Sequence, residues 1–298
     1  MKKRNLQARK NRLFFLFISP WLIGFVGITV FPMIYSLLLS FSDSRIGTFT
    51  NFVGFQNFVH AFTGDRLFFT SIRNTLYYVV VFVPVSMITG IGIAMVLNQK
   101  LRGRSFYRVA FYIPSICAGV AVTILWGWIF NPSFGLLNYY LSFVGIEGPG
   151  WLSDPSWAMI SIIIMNLWTQ GNTIIIFLAG LQDIPEQLYE SAMIDGASWW
   201  RRTMRITLPM LSPTLFFNLV LGLIAAFQMF NQPFILTGGT GGPVDSLYVY
   251  MLAVYNNAFR FGNMGYATAL AWMLLVFIFA VTMLVVKSSK YWVYYSED

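Results

Sequence analysis

The 298-residue chain carries little charge: acidic and basic residues make up 10% of it, whereas 57% of its residues are hydrophobic. A soluble globular protein has about 25% charged residues, because its surface must face water. Eleven acidic and nineteen basic side chains cannot cover a water-exposed surface of this size. The scarcity of charge excludes a soluble catalytic domain and predicts that a lipid bilayer surrounds most of the chain.

The residues that several kinds of chemistry require are also scarce. The chain has one histidine and one cysteine, which excludes a histidine–cysteine zinc cluster and a disulfide framework. No lysine directly follows a glycine, so the phosphate-binding loop of an ATPase is missing. We therefore expect no catalytic residue, no metal site and no cofactor in this chain.

Six long hydrophobic segments contain no Asp, Glu, Lys or Arg, and each can cross the hydrocarbon core of a bilayer. They cover residues 13–41, 74–98, 109–130, 156–181, 208–236 and 263–286. A charge at the bilayer centre costs several kcal/mol, so this segregation is typical of membrane-spanning helices. The predicted fold is an all-α integral membrane protein with about six transmembrane helices, forming one domain over residues 1–298.

The basic residues are distributed unequally between alternate connections. Fifteen of the nineteen lie in the N-terminal tail (1–12), in the second and fourth connections and in the C-terminal tail. Cytoplasmic segments carry such an excess, so both termini are predicted to be cytoplasmic. Orientation then accounts for the net charge of +8, and no basic stripe favours a nucleic-acid partner. The first hydrophobic run is too long for a cleaved signal peptide, so we expect an uncleaved span.

The connections on the predicted outer side have patterns of their own. In the first, an aromatic series at near-helical spacing predicts a helix that lies in the membrane interface. This series consists of Phe49, Phe52, Phe55, Phe58 and Phe62. In the last, a glycine-rich breaker at 237–243 precedes an apolar run at 244–255, which is too short to span. We expect this run to form an outer interfacial helix.

The fourth connection, residues 182–207, is the only long polar segment on the predicted cytoplasmic side. Pro185 and Glu186 suit the first turn of a helix. Ile184, Leu188 and Ala192 follow one another at intervals of four and predict an apolar stripe on that helix. A glycine at 196 can end the helix in the left-handed conformation.

A second short helix should follow in this connection. Trp200, Met204 and Leu208 are expected on one side of it, and Arg201, Arg202 and Arg205 on the other. Pro209 is expected to break the chain before the fifth span. On these patterns alone, a docking segment and a pair of connecting interfacial helices are about equally favoured.

The same connection resembles a family motif. The order Glu190-Ser191-Ala192, three residues, Gly196, nine residues and Ile206-Thr207-Leu208-Pro209 resembles the EAA motif of membrane subunits of bacterial ATP-binding-cassette (ABC) importers. The middle position, Ser191, departs from the motif. Residues 184–200 are similar to the carbohydrate branch of that family. Segments 54–58 and 74–75 resemble the family's outer segment before the second span. Segments 130–135 and 151–155 and positions within 227–243 are similar to the larger maltose-permease subunit, from which the extra Gly238-Gly239-Thr240 departs. The resemblance covers nearly the whole chain.

This resemblance implies the transmembrane domain of an ABC type I importer, a multi-pass protein of the bacterial cytoplasmic (inner) membrane. It implies three partners: a second paralogous permease subunit, a cytoplasmic ATPase dimer that binds ATP and Mg²⁺, and an extracytoplasmic solute-binding protein. It also places ATPase coupling in residues 182–209. The coupling residues that it implies are Glu190, Ser191, Ala192, Asp195, Gly196, Ile206, Leu208 and Pro209.

Polar side chains inside the fourth and fifth spans are candidates for the substrate path. A neutral polar residue in a span either hydrogen-bonds a neighbouring helix or faces the solute, and both roles stay open here. By resemblance, positions matching Gln170, Thr173, Gln228 and Asn231 line the sugar site of maltose-type permeases. The full candidate path is Asn166, Gln170, Thr173, Phe227, Gln228 and Asn231.

The spans also indicate what kind of solute would pass. A charged solute is expected to meet an Arg, a Lys or a half-helix N-terminus at the midplane, so charge-free spans favour a neutral sugar, oligosaccharide or polyol. A secondary transporter is the main alternative, but it should show an ion-coupling carboxylate in a span or an internal repeat, and neither is apparent. An ABC importer permease for a non-sugar solute is the other alternative.

Overall fold

The computed structural model describes residues 2–46, 51–99 and 102–294. Within these ranges the regular secondary structure is helical, and one isolated β-bridge joins Ser42 to Phe52. The α-helices are, in chain order, α1 Lys2–Gly24, α2 Phe31–Ser40, α3 Gln56–Thr63, α4 Arg66–Asn98, α5 Arg104–Ile116, α6 Gly119–Ile129, α7 Leu136–Phe143, α8 Pro155–Trp168, α9 Gly171–Gln182, α10 Glu186–Ile194, α11 Trp199–Arg202, α12 Leu208–Met210, α13 Ser212–Phe227, α14 Asn231–Thr237, α15 Tyr250–Tyr255 and α16 Met264–Ser289. Turns of π-helix cover Phe25–Val30, Thr203–Thr207 and Asn256–Arg260, and a 3₁₀ turn covers Pro243–Asp245.

Up to six of the described helical segments can cross a membrane. Four are individually long and apolar enough: Arg12–Ser40, Arg66–Asn98, Ser212–Thr237 and Met264–Ser289. Two further segments are bent pairs, α5 with α6 at 100° and α8 with α9 at 48°. Counted as one span each, the pairs bring the total to six, which confirms the predicted all-α membrane fold.

Two of these segments differ from the predicted spans. The helix of the second span begins at Arg66 rather than at 74, because the Asp65 carboxylate accepts a hydrogen bond (2.8 Å) from the Leu67 N–H and caps the helix. The third span bends at Cys117 and Ala118, which have non-helical backbone angles with ψ of 143° and 124°. Hydropathy does not predict this bend, because the segments on both sides of it are apolar.

The chain divides into two compact units, Met1–Gly64 with Val254–Met273 and Asp65–Ala253 with Leu274–Asp298. In the first unit, the Asn57 amide donates to the carbonyls of Ser40 (2.9 Å) and Ser42 (2.7 Å), and so fixes α3 to the end of α2. The predicted aromatic helix forms only as α3, which contains the last two phenylalanines of the series. Phe52 and Phe55 precede α3, and Phe49 lies outside the described residues.

The core of the second unit lies where α4, α9 and the start of α13 meet. Small residues let these helices approach closely: a Cβ at Gly90 of α4 would lie 3.3 Å from the Phe177 ring of α9. The buried side chains of this core are Ala94, Leu97, Ile174, Phe177, Leu178, Leu181, Ile184 and Leu211. The core therefore joins the ends of two spans to the connection that follows α9.

The outer helix predicted over 244–255 starts later than expected and continues beyond Tyr255 as the π-turn Asn256–Arg260. α15 begins only at Tyr250, and hydrogen bonds from α4 hold the preceding residues in a non-helical path. The Asn74 amide donates to the carbonyls of Asp245 (2.8 Å) and Tyr248 (3.1 Å), and the Thr75 hydroxyl accepts from the Tyr250 N–H (2.9 Å). These side chains supply partners that a helix would have supplied within its own backbone.

The end of the chain folds back on the start of α13 in the second unit. The Tyr294 N–H donates to the Ser212 hydroxyl (2.8 Å), which in turn donates to the Pro209 carbonyl (2.6 Å). The Trp292 and Phe216 rings meet edge to face with 6.1 Å between their centres. These contacts, which we call the tail clasp, fasten residues 292–294 to the start of α13, just after the fourth connection.

Candidate functional site

The first half of the fourth connection forms the helix that the sequence predicts. α10 covers Glu186–Ile194, with Pro185 at its N-cap. Gly196 follows it with a φ of +73°. The Gly196 N–H donates to the Met193 carbonyl (3.0 Å), and the Ala197 N–H donates to the Ala192 carbonyl (2.8 Å). This pattern ends a helix by a left-handed residue, a conformation that glycine adopts without strain.

α10 projects from the rest of the second unit. None of its residues is buried, and Glu190, Ser191, Asp195 and Gly196 are exposed. Ile194, at its end, is 87% exposed. The predicted apolar stripe is largely uncovered in this chain, because Leu188 is exposed and only Ile184, which precedes the helix, is buried. An exposed apolar tip on a polar helix is typical of a protein contact surface.

In the second half of the connection, the buried side chains belong to neither of the two predicted sides. After Ser198 caps α11, the chain stays helical through the π-turn Thr203–Thr207 and α12. Thr203 and Thr207 are buried, whereas Trp200 is 62% exposed. The Thr207 hydroxyl hydrogen-bonds the Tyr189 hydroxyl (3.0 Å), which ties this half to α10. Both threonines can be buried because each hydroxyl has a hydrogen-bond partner: the Trp199 carbonyl for Thr203, and the Tyr189 hydroxyl for Thr207.

The remaining implied coupling residues lie where this half joins the fifth span. Ile206 packs against the core of the second unit, and Leu208 is half-buried. The sequence predicts that Pro209 breaks the chain here, but the helix continues through this residue. It follows a π-turn in which the Leu208 N–H donates to the Thr203 carbonyl, and it lies at the start of a new α segment, where its missing N–H is tolerated. The helix ends two residues later at Leu211.

A polar cavity of about 480 Å³ lies between α4, the α8–α9 junction and the α13–α14 junction. Five of the six residues of the candidate path line it, namely Asn166, Gln170, Thr173, Gln228 and Asn231. None of the described residues that line it is charged. The structure thus brings together side chains from two spans that are about 60 residues apart in the sequence.

Breaks in two helices create this cavity. Between α8 and α9, Thr169 and Gln170 leave the helical path, and between α13 and α14 the chain does so from Gln228 to Phe230. Both junctions line the cavity. Inside a membrane, non-helical backbone is tolerated where it is buried in protein or borders a water-filled space. Both breaks therefore lie at a place where non-helical backbone can be accommodated.

The amides of the cavity fall into two groups by their hydrogen bonds. Asn166 is buried; its Nδ2 donates to the Tyr78 hydroxyl (2.8 Å), and its Oδ1 accepts from Gln232 Nε2 (2.9 Å). Gln170 Nε2 donates to the Thr89 hydroxyl (2.9 Å). Gln228 and Asn231 are exposed, and both line the cavity. The first group holds helices together, and the second presents amides to the cavity.

One candidate residue lies elsewhere, and the cavity has aromatic residues that the sequence did not single out. Phe227 is buried and does not line the cavity, because its ring meets Phe277 edge to face at 5.4 Å. Tyr78 and Phe82 line it instead, with stacked rings 5.0 Å apart, and Ser86 continues the same face of α4. The spacing of Phe82 and Ser86 by four residues in an apolar span could have indicated this face.

Comparison with known proteins agrees with this architecture. The family described as "Binding-protein-dependent transport system inner membrane component" matches residues 83–290. The chain is 41% identical to the probable ABC transporter permease protein YesP of Bacillus subtilis, over 100% of this chain and 96% of the relative. It is 32% identical to the trehalose/maltose transport system permease protein MalF of Thermococcus litoralis, over 96% of both chains.

A solved structure shares the fold over nearly the whole length. It is a chain of the bacterial alginate ABC transporter in complex with an alginate pentasaccharide-bound periplasmic protein. The two agree with a TM-score of 0.82 at 25% identity, over 95% of this chain and 96% of the other. The family match, the relatives and the shared fold together show that the chain belongs to the family of inner membrane components of binding-protein-dependent transport systems, as a multi-pass permease subunit of an ABC importer.

Proposed function

We propose that this chain is the translocation subunit of an ATP-driven importer that moves a neutral sugar, oligosaccharide or polyol across the bacterial cytoplasmic membrane. The observation that carries the proposal is the uncharged polar cavity at the two helix junctions. Gln228 and Asn231 offer it amide donors and acceptors, which match hydroxyl groups that both donate and accept. Each such hydrogen bond contributes about 1 kcal/mol to binding.

The aromatic wall of the cavity supports a carbohydrate. Phe82 and Ser86 both line it from α4, but the Ser86 hydroxyl already donates to the Val83 carbonyl (2.9 Å), so this side contributes chiefly an aromatic ring. The amides of α13 and α14 line the same cavity. A sugar ring has an apolar face and a polar rim, and a site with one aromatic ring and several amides suits both. Relatives named for trehalose and maltose transport agree with this class of solute.

Coupling to ATP is assigned to the exposed α10 and to Gly196. In this proposal the fourth connection, on the cytoplasmic side, docks into a cytoplasmic ATPase dimer, which binds ATP and Mg²⁺. The exposed Ile194 tip would be buried in that contact, and Glu190 lies one turn before it. The buried Thr203–Thr207 face and the Tyr189 hydrogen bond would transmit movement of α10 to the fifth span.

Two further partners complete the proposed importer. A second paralogous permease subunit would form the other half of the translocation path. A solute-binding protein would deliver the sugar on the extracytoplasmic side, as the periplasmic protein bound to the alginate transporter suggests. No feature of the described residues favours a nucleic-acid partner.

A second candidate solute is an acidic oligosaccharide, because the structural neighbour imports the acidic polysaccharide alginate. A carboxylated sugar would need a cationic partner, and none of the described residues lining this cavity is charged. The neutral solute therefore fits this subunit better.

The experiment is uptake by the complex of this chain with its partner subunits in proteoliposomes. We expect ATP-dependent accumulation of a neutral oligosaccharide, with little competition from an excess of a uronic-acid oligosaccharide of equal length. Accumulation of the acidic oligosaccharide alone would overturn the assignment of solute class. Accumulation without ATP would overturn the ATP-driven mechanism.

A further inference from the structure

A second cavity, of about 370 Å³, lies at the base of the coupling segment. The last turns of α4, the end of α9 and residues of α10 and α11 surround it. Its apolar wall includes Met95, Val96 and Leu181, and its polar end includes Asn98, Gln99 and Arg202. It shares no lining residue with the polar cavity of the substrate path.

Arg202 is the charged residue of this cavity, and no acidic side chain is among the described residues that line it. The Arg202 Nε atom is buried and has no hydrogen-bond partner among the described residues. An arginine side chain is always charged and has five donors and no acceptor. A buried donor of a charged group that stays unpaired is unfavourable, so the site favours an anionic acceptor.

The neighbouring hydroxyls are already paired, which leaves the Arg202 guanidinium as the charged donor for such an anion, with the side-chain amides of Asn98 and Gln99 as neutral donors. Thr203 Oγ1 donates to the Trp199 carbonyl (3.0 Å), and the hydroxyls of Thr207 and Tyr189 bond each other (3.0 Å). A planar guanidinium matches the oxygens of a phosphate, which it can bind through two parallel hydrogen bonds.

We propose that this cavity binds the phosphodiester headgroup of an anionic phospholipid, with Arg202 on the phosphate oxygens. The apolar wall favours a lipid over free phosphate, because glycerol and the first acyl carbons can lie against Met95, Val96 and Leu181. Basic pockets between membrane helices bind lipid headgroups in this way. Trp199 and Trp200, which are 58% and 62% exposed, have the amphipathic character of residues at the headgroup level.

A lipid in this cavity would connect two parts of the coupling machinery. It would contact the end of α4 on one side and α11 of the coupling segment on the other. It would therefore stabilise the position of α11 relative to α4 within the second unit. The inference goes beyond the proposed function, since it concerns a lipid ligand at a separate cavity and does not depend on which solute is carried.

The test uses the whole complex, purified with its partner subunits, stripped of lipid by detergent exchange and then titrated with phosphatidylglycerol. Native mass spectrometry counts the phosphatidylglycerol molecules that wild type, Arg202→Gln and Arg201→Gln retain at each lipid concentration. Arg201 is the matched control, because it is the exposed neighbour and does not line the cavity. We expect Arg202→Gln to bind at least about ten-fold more weakly, as for loss of a hydrogen bond to a charged group, and Arg201→Gln to match wild type.

Other outcomes separate the alternatives. Equal retention by Arg202→Gln and wild type would overturn the site, and so would an equal loss in both variants. Loss of the ATPase subunit from Arg202→Gln with lipid retained would assign the arginine to subunit docking and overturn the lipid. If inorganic phosphate displaces phosphatidylglycerol from wild type, the phosphate-binding chemistry stands but the source is free phosphate. None of these measurements depends on sugar uptake, so the proposed function is tested separately.

Discussion

Asn166 Oδ1 accepts a hydrogen bond of 2.9 Å from Gln232 Nε2, and so joins α8 to α14 at the edge of the polar cavity. The same amide donates to Tyr78 of α4 at 2.8 Å, so one buried side chain connects three helices. The helix break before Asn231 lies next to this connection. The geometry of the cavity therefore depends on a residue that need not touch the solute.

We first predict that Asn166→Ala lowers the stability of the complex before it affects solute recognition. The substitution leaves the Tyr78 hydroxyl and the Gln232 amide without their partner, at about 1–3 kcal/mol for each buried group. The melting temperature of the purified complex should fall, and Asn172→Ala is the matched control, since Asn172 is exposed and does not line the cavity. Lost uptake with an unchanged melting temperature would instead make Asn166 a binding residue.

The second prediction concerns the amides that face the cavity. Asn231→Ala and Gln228→Ala should each weaken solute transport, because each removes a hydrogen bond worth about 1 kcal/mol, or roughly five-fold in the apparent KM. The melting temperature and basal ATP hydrolysis should stay close to wild type. Measuring all three quantities on the same preparations decides the matter: a destabilised complex with a proportionate loss of uptake would remove that amide from the site.

The third prediction concerns Gly196, whose φ of +73° puts it in the left-handed region. An added Cβ would meet nothing within 4 Å, so backbone conformation and not space selects glycine. Gly196→Val should reduce ATPase binding and transport strongly, since the left-handed conformation costs about 1–2 kcal/mol for an ordinary residue. Gly196→Asn should retain more of both, because asparagine tolerates this conformation.

A control for this comparison is Gly27→Ala, where a Cβ also meets nothing and φ is not positive. Affinity of the ATPase subunit in a pull-down at graded concentrations measures the effect. Equal binding by the valine and asparagine variants would show that the left-handed turn is not what the ATPase recognises.

The fourth prediction tests orientation, which rests on the unequal distribution of basic residues. Single cysteines at Ser198 and Ser153, in a background without Cys117, should react with an impermeant thiol reagent from opposite sides of the membrane. Both positions are exposed, so accessibility does not bias the comparison. Labelling of both in intact cells would contradict the predicted topology.

The sequence predicts the spans well, because charged residues are excluded from lipid and each predicted span therefore lacks Asp, Glu, Lys and Arg. It does not predict where helices break inside the bilayer: the segments on both sides of Cys117 are apolar, and the polar residues around Gln170 suit an intact helix as well as a broken one. Residues 184–196 formed as expected, since capping and a terminal glycine act locally. The burial of Thr203 and Thr207 was not predicted. Thr203 bonds a carbonyl four residues earlier, but the partner of Thr207 is Tyr189, which only the fold brings close.

Similar reasons explain why the sequence predicted the wrong phenylalanine for the cavity wall. Phe227 and Phe82 are both phenylalanines in apolar spans, and composition does not distinguish a ring that packs on Phe277 from one that lines a cavity. The polar residues were easier to select, since an amide in a span needs a partner wherever it lies. The sequence does not tell whether that partner is another helix or a solute; the hydrogen bonds of Asn166 to Tyr78 and Gln232 show a helix partner for that amide.

The tail clasp has a practical consequence for anyone who purifies this protein. Because Tyr294 is bonded to Ser212, and Ser212 to Pro209, an affinity tag fused shortly after Tyr294 would lie close to the start of α13. We expect a bulky tag there to pull the clasp apart and to disturb the junction between the fourth connection and the fifth span. Kinetic work on the importer should therefore use a cleavable tag, or place the tag on another subunit.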